Sequence, residues 1–105
     1  MSIEIEVSSG NIYSDLGYSN AEEMKIKAAL AGKISAFIAD AHLTQAQAAA
    51  HMGISQAKVS EMLRGRFRGI SEAKMMECLK SFGQNVTISV TPAEVPDEAE
   101  ISVAA

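Results

Sequence analysis

Gln56, Ala57, Lys58, Ser60 and Glu61 fall within six consecutive positions and, on one helix, would leave a set of small and polar side chains facing outward. A glutamine amide holds a donor beside an acceptor, the pattern that pairs with N6 and N7 of adenine in the major groove. The run therefore suits the reading of base edges better than the breaking of bonds. Lys58 and then Arg64, Arg66 and Arg68 supply cations where such a helix ends and a loop follows, the place for phosphate contacts. Lys58 has the reach for a phosphate or for a base edge. Gln45 and Ser55, each at the start of a short helix, complete the candidate phosphate contacts. An ordinary solvated helical hairpin would also expose Gln and Lys, so the assignment depends on the elements that carry them.

Those elements are legible in residues 43–65, LTQAQAAAHMGISQAKVSEMLRG. Thr44 and Gln47 have the spacing of a capping box for a first helix, and Ser55 is placed as the N-cap of a second. Between them Met52, Gly53 and Ile54 form a hinge in which glycine can take positive φ, as a turn of three or four residues between helices requires. Leu43, Ala49, Met52, Ile54, Val59 and Met62 recur at intervals that bury them between the two helices, leaving Gln45, Gln56, Ala57, Lys58, Ser60 and Glu61 outside. This is the pattern of a helix-turn-helix, with Gln56 at the end of the second helix that reads bases.

Residues 43–65 resemble the helix-turn-helix of the lambda-repressor and Cro type shared by bacterial Xre-class regulators. The segment Ser9, Gly10, Asn11, Ile12, Tyr13, Ser14, Asp15, Leu16, Gly17, followed by Asn20, Ala21, Glu22 and Glu23, looks like the N-terminal stretch of HigA-like antitoxins paired with RelE-type toxins. The combined resemblance covers roughly residues 9–91. It implies a mainly α, lambda-repressor-like bundle of four to five helices, and a repressor of its own operon that also masks a RelE/HigB-like mRNA-cleaving toxin. The alternative is a stand-alone Xre-type regulator with no toxin. Ala48 departs from the family's larger apolar residue, which implies thinner packing of the first motif helix.

The chain of 105 residues is 48% hydrophobic and 5% aromatic, without Trp, enough for one small core that leans on a partner. Net charge is −4, but it is unevenly spread: residues 1–41 carry three basic and six acidic side chains, residues 42–82 six and three, and residues 83–105 none and four. The positive excess falls on the motif and the stretch after it. Neither an apolar run of membrane-spanning length nor a basic leader opens the sequence, so a cytoplasmic protein is expected. Cys78, among Met75, Met76, Leu79 and Phe82, reads as a buried small hydrophobe.

Around the motif, Ile3, Ile5 and Val7 alternate with Glu4 and Glu6 as a short strand or extended arm within residues 1–19. The helix-turn-helix domain spans 20–83. Asn20 is placed to cap a long helix whose stripe is Leu30, Ile34, Phe37, Ile38 and Ala41. Gly65 stops the second motif helix, Ser71 caps another from Glu72 to about Phe82, and Gly83 ends it; Ala73, Met76, Leu79 and Phe82 would cover the motif. In residues 84–91, Val86, Ile88 and Val90 alternate with polar residues as a strand. Its partner would be the 3–7 segment or, preferably, the same strand of a second copy, giving a homodimer and a palindromic operator on double-stranded DNA. Residues 92–105 have the composition of a disordered acidic tail, with solvation a simpler role than binding a basic toxin.

Catalysis has little support. His42, His51 and Cys78 do not make a zinc-ligand set, and Gly65 and Gly69 flank Arg-Phe-Arg without the Lys and Ser/Thr of a phosphate loop. Asp40 and the serines lack a base at nucleophile spacing. His42 reads as a residue at a helix C-terminus and His51 as a surface position able to graze phosphate. No enzyme, metal or cofactor is expected. A protein-interaction module that has lost DNA affinity is the remaining reading.

Overall fold

The long amphipathic run after residue 19 forms the scaffold onto which shorter helices pack. A computed structural model describes residues 20–104, which hold α1 (Asn20–Asp40), α2 (Gln45–Met52), α3 (Gln56–Leu63) and α4 (Glu72–Ser81), then a 3₁₀ turn at Pro96–Glu98. The expected arm at 1–19 lies outside the described residues. So does the N-cap of α1, because Asn20 is already its first helical residue rather than the cap.

Helix α1 buries Ile26, Lys27, Leu30, Ala31, Ile34 and Ile38. Phe37 is half-buried and stacks on Phe82, the residue just past α4, with ring centroids 5.8 Å apart, whereas Ala41 lies past the helix end and is exposed. The helix closes in a Schellman arrangement: His42 N–H donates to Ala39 O at 3.0 Å and Leu43 N–H to Ile38 O at 3.1 Å. His42 occupies the left-handed position with φ 56°, and Leu43 packs against the core near the buried Ile38.

Thr44 then starts α2 with a complete capping box, its Oγ1 accepting from Gln47 N–H at 3.1 Å while its own N–H donates to Gln47 Oε1 at 2.9 Å. Ala48 is fully buried beside Ala49 and Met52. On α3, Val59 and Met62 are buried, with Leu43 and Ile54 packed partly against the same cluster. Helix α4 is capped by Ser71, whose Oγ accepts from Lys74 N–H at 3.0 Å. Its buried face is Glu72, Met75, Cys78 and Leu79. That is a correction to the expected stripe: Ala73 is exposed and Met76 and Phe82 only half-buried. Glu72 sits in the first turn of α4, where the helix dipole favours a carboxylate, and its buried oxygens find no hydrogen bond among the described residues.

The expected strand at 84–91 is not formed. Among the described residues there is no strand; the segment is extended but has no neighbouring strand to complete a ladder. Val86 rests partly on the core, while Ile88 is 53% and Val90 83% exposed. Farther on, Ile101 and Val103 pack partly against the core.

Candidate nucleic-acid interface

The hinge between α2 and α3 puts the candidate base-reading residues at one end of a short, well-anchored helix. Gly53 has φ 71° and ψ 32°, and its N–H donates to Ala49 O at 2.9 Å. Space around it is open, so the backbone conformation alone demands glycine there. Ile54 follows, and Ser55 Oγ accepts from Lys58 N–H at 3.1 Å, which satisfies one unpaired amide of the first turn of α3. The Ser55 hydroxyl proton is left for an outside acceptor.

Gln56, Ala57 and Lys58 are exposed; Ser60 and Glu61 are half-buried on the same helix. Gln45 is exposed at the start of α2. Helix α3 ends at Leu63, and Gly65 just beyond it is left-handed, φ 80°, with Gly65 N–H donating to Met62 O at 3.1 Å and Arg66 N–H to Glu61 O at 2.8 Å. This left-handed exit turns the chain so that Arg66 and Arg68 face solvent while Phe67 and Ile70 are buried.

Four of the expected contact residues are engaged within the protein. Glu61 Oε2 holds Arg64 at 2.8 Å and lies 3.8 Å from Arg66, so three candidate site residues form one ionic cluster of exposed side chains, an arrangement of small intrinsic stability. Lys58 Nζ donates to Gly69 O at 2.5 Å, bridging α3 to the stretch that follows it. Arg68 is exposed and makes no ion pair among the described residues.

A shallow groove of about 590 Å³ runs along this face, lined by Met24 of α1, by Ala57, Lys58 and Glu61 of α3, and by residues 65–70. A second, about 580 Å³, lies where α3 and α4 begin, between Ser55, Lys58, Ser71 and Lys74. Of the candidates, Ser55, Ala57, Lys58, Glu61, Arg66 and Arg68 line these grooves, whereas Gln45, Gln56, Ser60 and Arg64 line neither.

His51 is placed elsewhere. The residue is exposed, its Nε2 is 2.8 Å from Ser81 O and its ring centroid 4.5 Å from that of Phe82, so it ties α2 to the C-terminal end of α4. Cys78 is buried and burial pushes its thiol pKa up from the ordinary 9.0, against a lowering by Lys74 and with a smaller raising by Glu77. Among the described residues no three of His, Cys, Asp or Glu gather as metal ligands, and no helix is long and apolar enough to cross a membrane. The residue that the sequence reading overlooked is Lys27, buried on α1 with its ammonium against the stretch after α3. Its signal was a lysine standing three and four residues before Leu30 and Ala31, within the apolar stripe.

The sequence matches the family model described as a helix-turn-helix domain over residues 12–91. A solved structure assigned to the XRE family of transcriptional regulators is similar, with 38% sequence identity and a TM-score of 0.71 over 83% of this chain and 99% of that one. No curated protein matches. The protein belongs to the helix-turn-helix domain family and, within it, to the XRE family.

Proposed function

We infer that the protein is a sequence-specific DNA-binding transcriptional repressor. The observation that carries this reading is the exposed first turn of α3, with Gln56 and Ala57 exposed and Arg66 and Arg68 lining the same groove as Ala57. Gln56 reads a base edge, with Ala57, Lys58, Ser60 and Glu61 beside it. Gln45, Ser55 and the three arginines grip phosphates and set the register without choosing the sequence. The Glu61 cluster adds a switch in side-chain partners: each arginine that turns to a phosphate releases part of the Glu61 carboxylate. Two copies related by a two-fold axis, joined through Val86, Ile88 and Val90, would set two α3 helices about 34 Å apart on a palindromic operator.

The second role, neutralising a RelE-type toxin encoded beside it, is supported by the resemblance of residues 9–23 to HigA-like antitoxins. It is tested by co-purification with the product of the neighbouring gene; failure to co-purify leaves a stand-alone regulator.

DNA binding is tested by fluorescence anisotropy on a duplex from the gene's own upstream region, titrated at two salt concentrations beside a scrambled duplex. Tighter binding to the native duplex is expected, with affinity falling as salt rises. Equal or absent binding removes the repressor reading in favour of an interaction module.

A further inference from the structure

Lys27 is only 4% exposed, on the face of α1 that also buries Leu30 and Ala31. A charge in such a place must be paired and hydrogen-bonded. Its ammonium lies 3.2 Å from Glu23 Oε2, one helical turn earlier, and donates to the carbonyl of Phe67 at 3.1 Å. That same carbonyl accepts from Ile70 N–H at 3.3 Å, so it closes a four-residue turn whose tip is Arg68 and Gly69. Lys58 Nζ of α3 holds the next exposed acceptor, Gly69 O, at 2.5 Å. Phe67 and Ile70, 8% and 5% exposed, anchor the two ends. The turn is therefore fixed by lysines from two helices and by two apolar plugs, and the side chain it projects is Arg68.

We propose that Lys27 is a positioning residue for DNA binding, which touches no DNA but fixes the turn that presents Arg68 to a phosphate. This rests on the DNA-binding reading above. The physical gain is preorganisation: an arginine on a held backbone surrenders less conformational freedom on gripping a phosphate than one on a loose loop. Lys58, expected at the DNA surface itself, serves the same turn from the opposite side.

The test is Lys27→Met, which keeps an apolar stem and deletes the ammonium. Glu23→Leu/Lys27→Met is made beside it, because removing both charges leaves no carboxylate unpaired and keeps the fold if the single variant unfolds. Circular dichroism and thermal melting establish folding. Folded variants should exchange the Ile70 amide faster, bind native and scrambled duplexes several-fold more weakly, and show a salt slope shallower by about one. In an Arg68→Ala background, Lys27→Met should cause no further loss, a non-additivity that a merely structural lysine would not produce. Folded variants that bind DNA as the wild type does, or losses that simply add to that of Arg68→Ala, overturn the proposal. Failure of the DNA-binding reading looks different: the wild-type protein then binds no duplex, while the Ile70 amide still loosens in Lys27→Met. That outcome overturns the DNA role of Lys27 together with that reading.

Discussion

Gln56 is exposed at the first position of α3, and its amide makes no hydrogen bond among the described residues, so it is available to a base. Gln56→Ala should cost about 1–3 kcal/mol on the native operator and relax preference at one base pair, while leaving scrambled DNA unaffected. Arg68→Ala should instead weaken binding to all sequences alike and reduce the salt slope by about one. Anisotropy on both duplexes separates the two, and equal loss of specificity in both variants would sink the division of labour. The outward positions of Gln45, Gln56, Ala57 and Lys58 were legible from periodicity, because a helix face is a local property. The partners of Lys58, Glu61 and His51 were not, since each depends on where the chain returns: residues 66–70 beside α3, and Ser81 beside α2. Cys78 offers a pH test. Its raised pKa means that the folded chain keeps a proton that the unfolded chain loses, so its contribution to stability is complete below the ordinary thiol value of 9.0 and is lost as pH rises through the raised folded value. Urea midpoints taken across that range should fall with pH more steeply for the wild type than for Cys78→Ala, and identical slopes would deny the thiol this role.

Capping residues made the helices readable, because a side-chain oxygen three positions before the amide it accepts from is a purely local geometry. Thr44, Ser55 and Ser71 all cap as their spacing indicates. The face of α4 was harder: Met75, Met76, Cys78 and Leu79 supply two overlapping apolar stripes, and only packing against α1 and α2 selects the one through Met75 and Cys78. The hinge is the element on which the interface depends. Gly53→Ala should destabilise the fold by about 1–2 kcal/mol, since φ of 71° is left-handed and no side chain crowds the site. A chemical denaturation midpoint unchanged from wild type would show that the hinge relaxes without cost. The end of α1 gives the converse case. His42 holds φ of 56° without being glycine, so His42→Gly should stabilise by roughly 0.5–1 kcal/mol, the relief of the left-handed strain exceeding the added freedom of the unfolded chain. Thermal melts of the two variants should move in opposite directions.

At the scale of the molecule, the positive middle of the sequence lies between acidic ends, and α1 with α4 holds α2 and α3 so that the basic stretch faces outward. The strand expected at 84–91 fails within one chain for a reason that alternation cannot reveal: period two says that a segment can pair, not what it pairs with. Ile88 at 53% exposure and Val90 at 83% leave apolar side chains in water on an extended backbone, a surface that a second copy of the same segment would suit. Ile88→Asp tests that pairing without disturbing the core, because Ile88 is not among the residues packed against it. The variant should keep its helical circular dichroism and melting temperature. On the proposed two-fold pairing the wild type should sediment as a dimer and the variant as a monomer, because a charge in the middle of the paired segments would be left unpaired against apolar neighbours. Its affinity for a single half-site should be unchanged, while that for the full palindrome should fall toward the half-site value, since the second α3 no longer arrives tethered to the first. A dimer that persists with full palindrome affinity would move the two-fold contact away from residues 84–91.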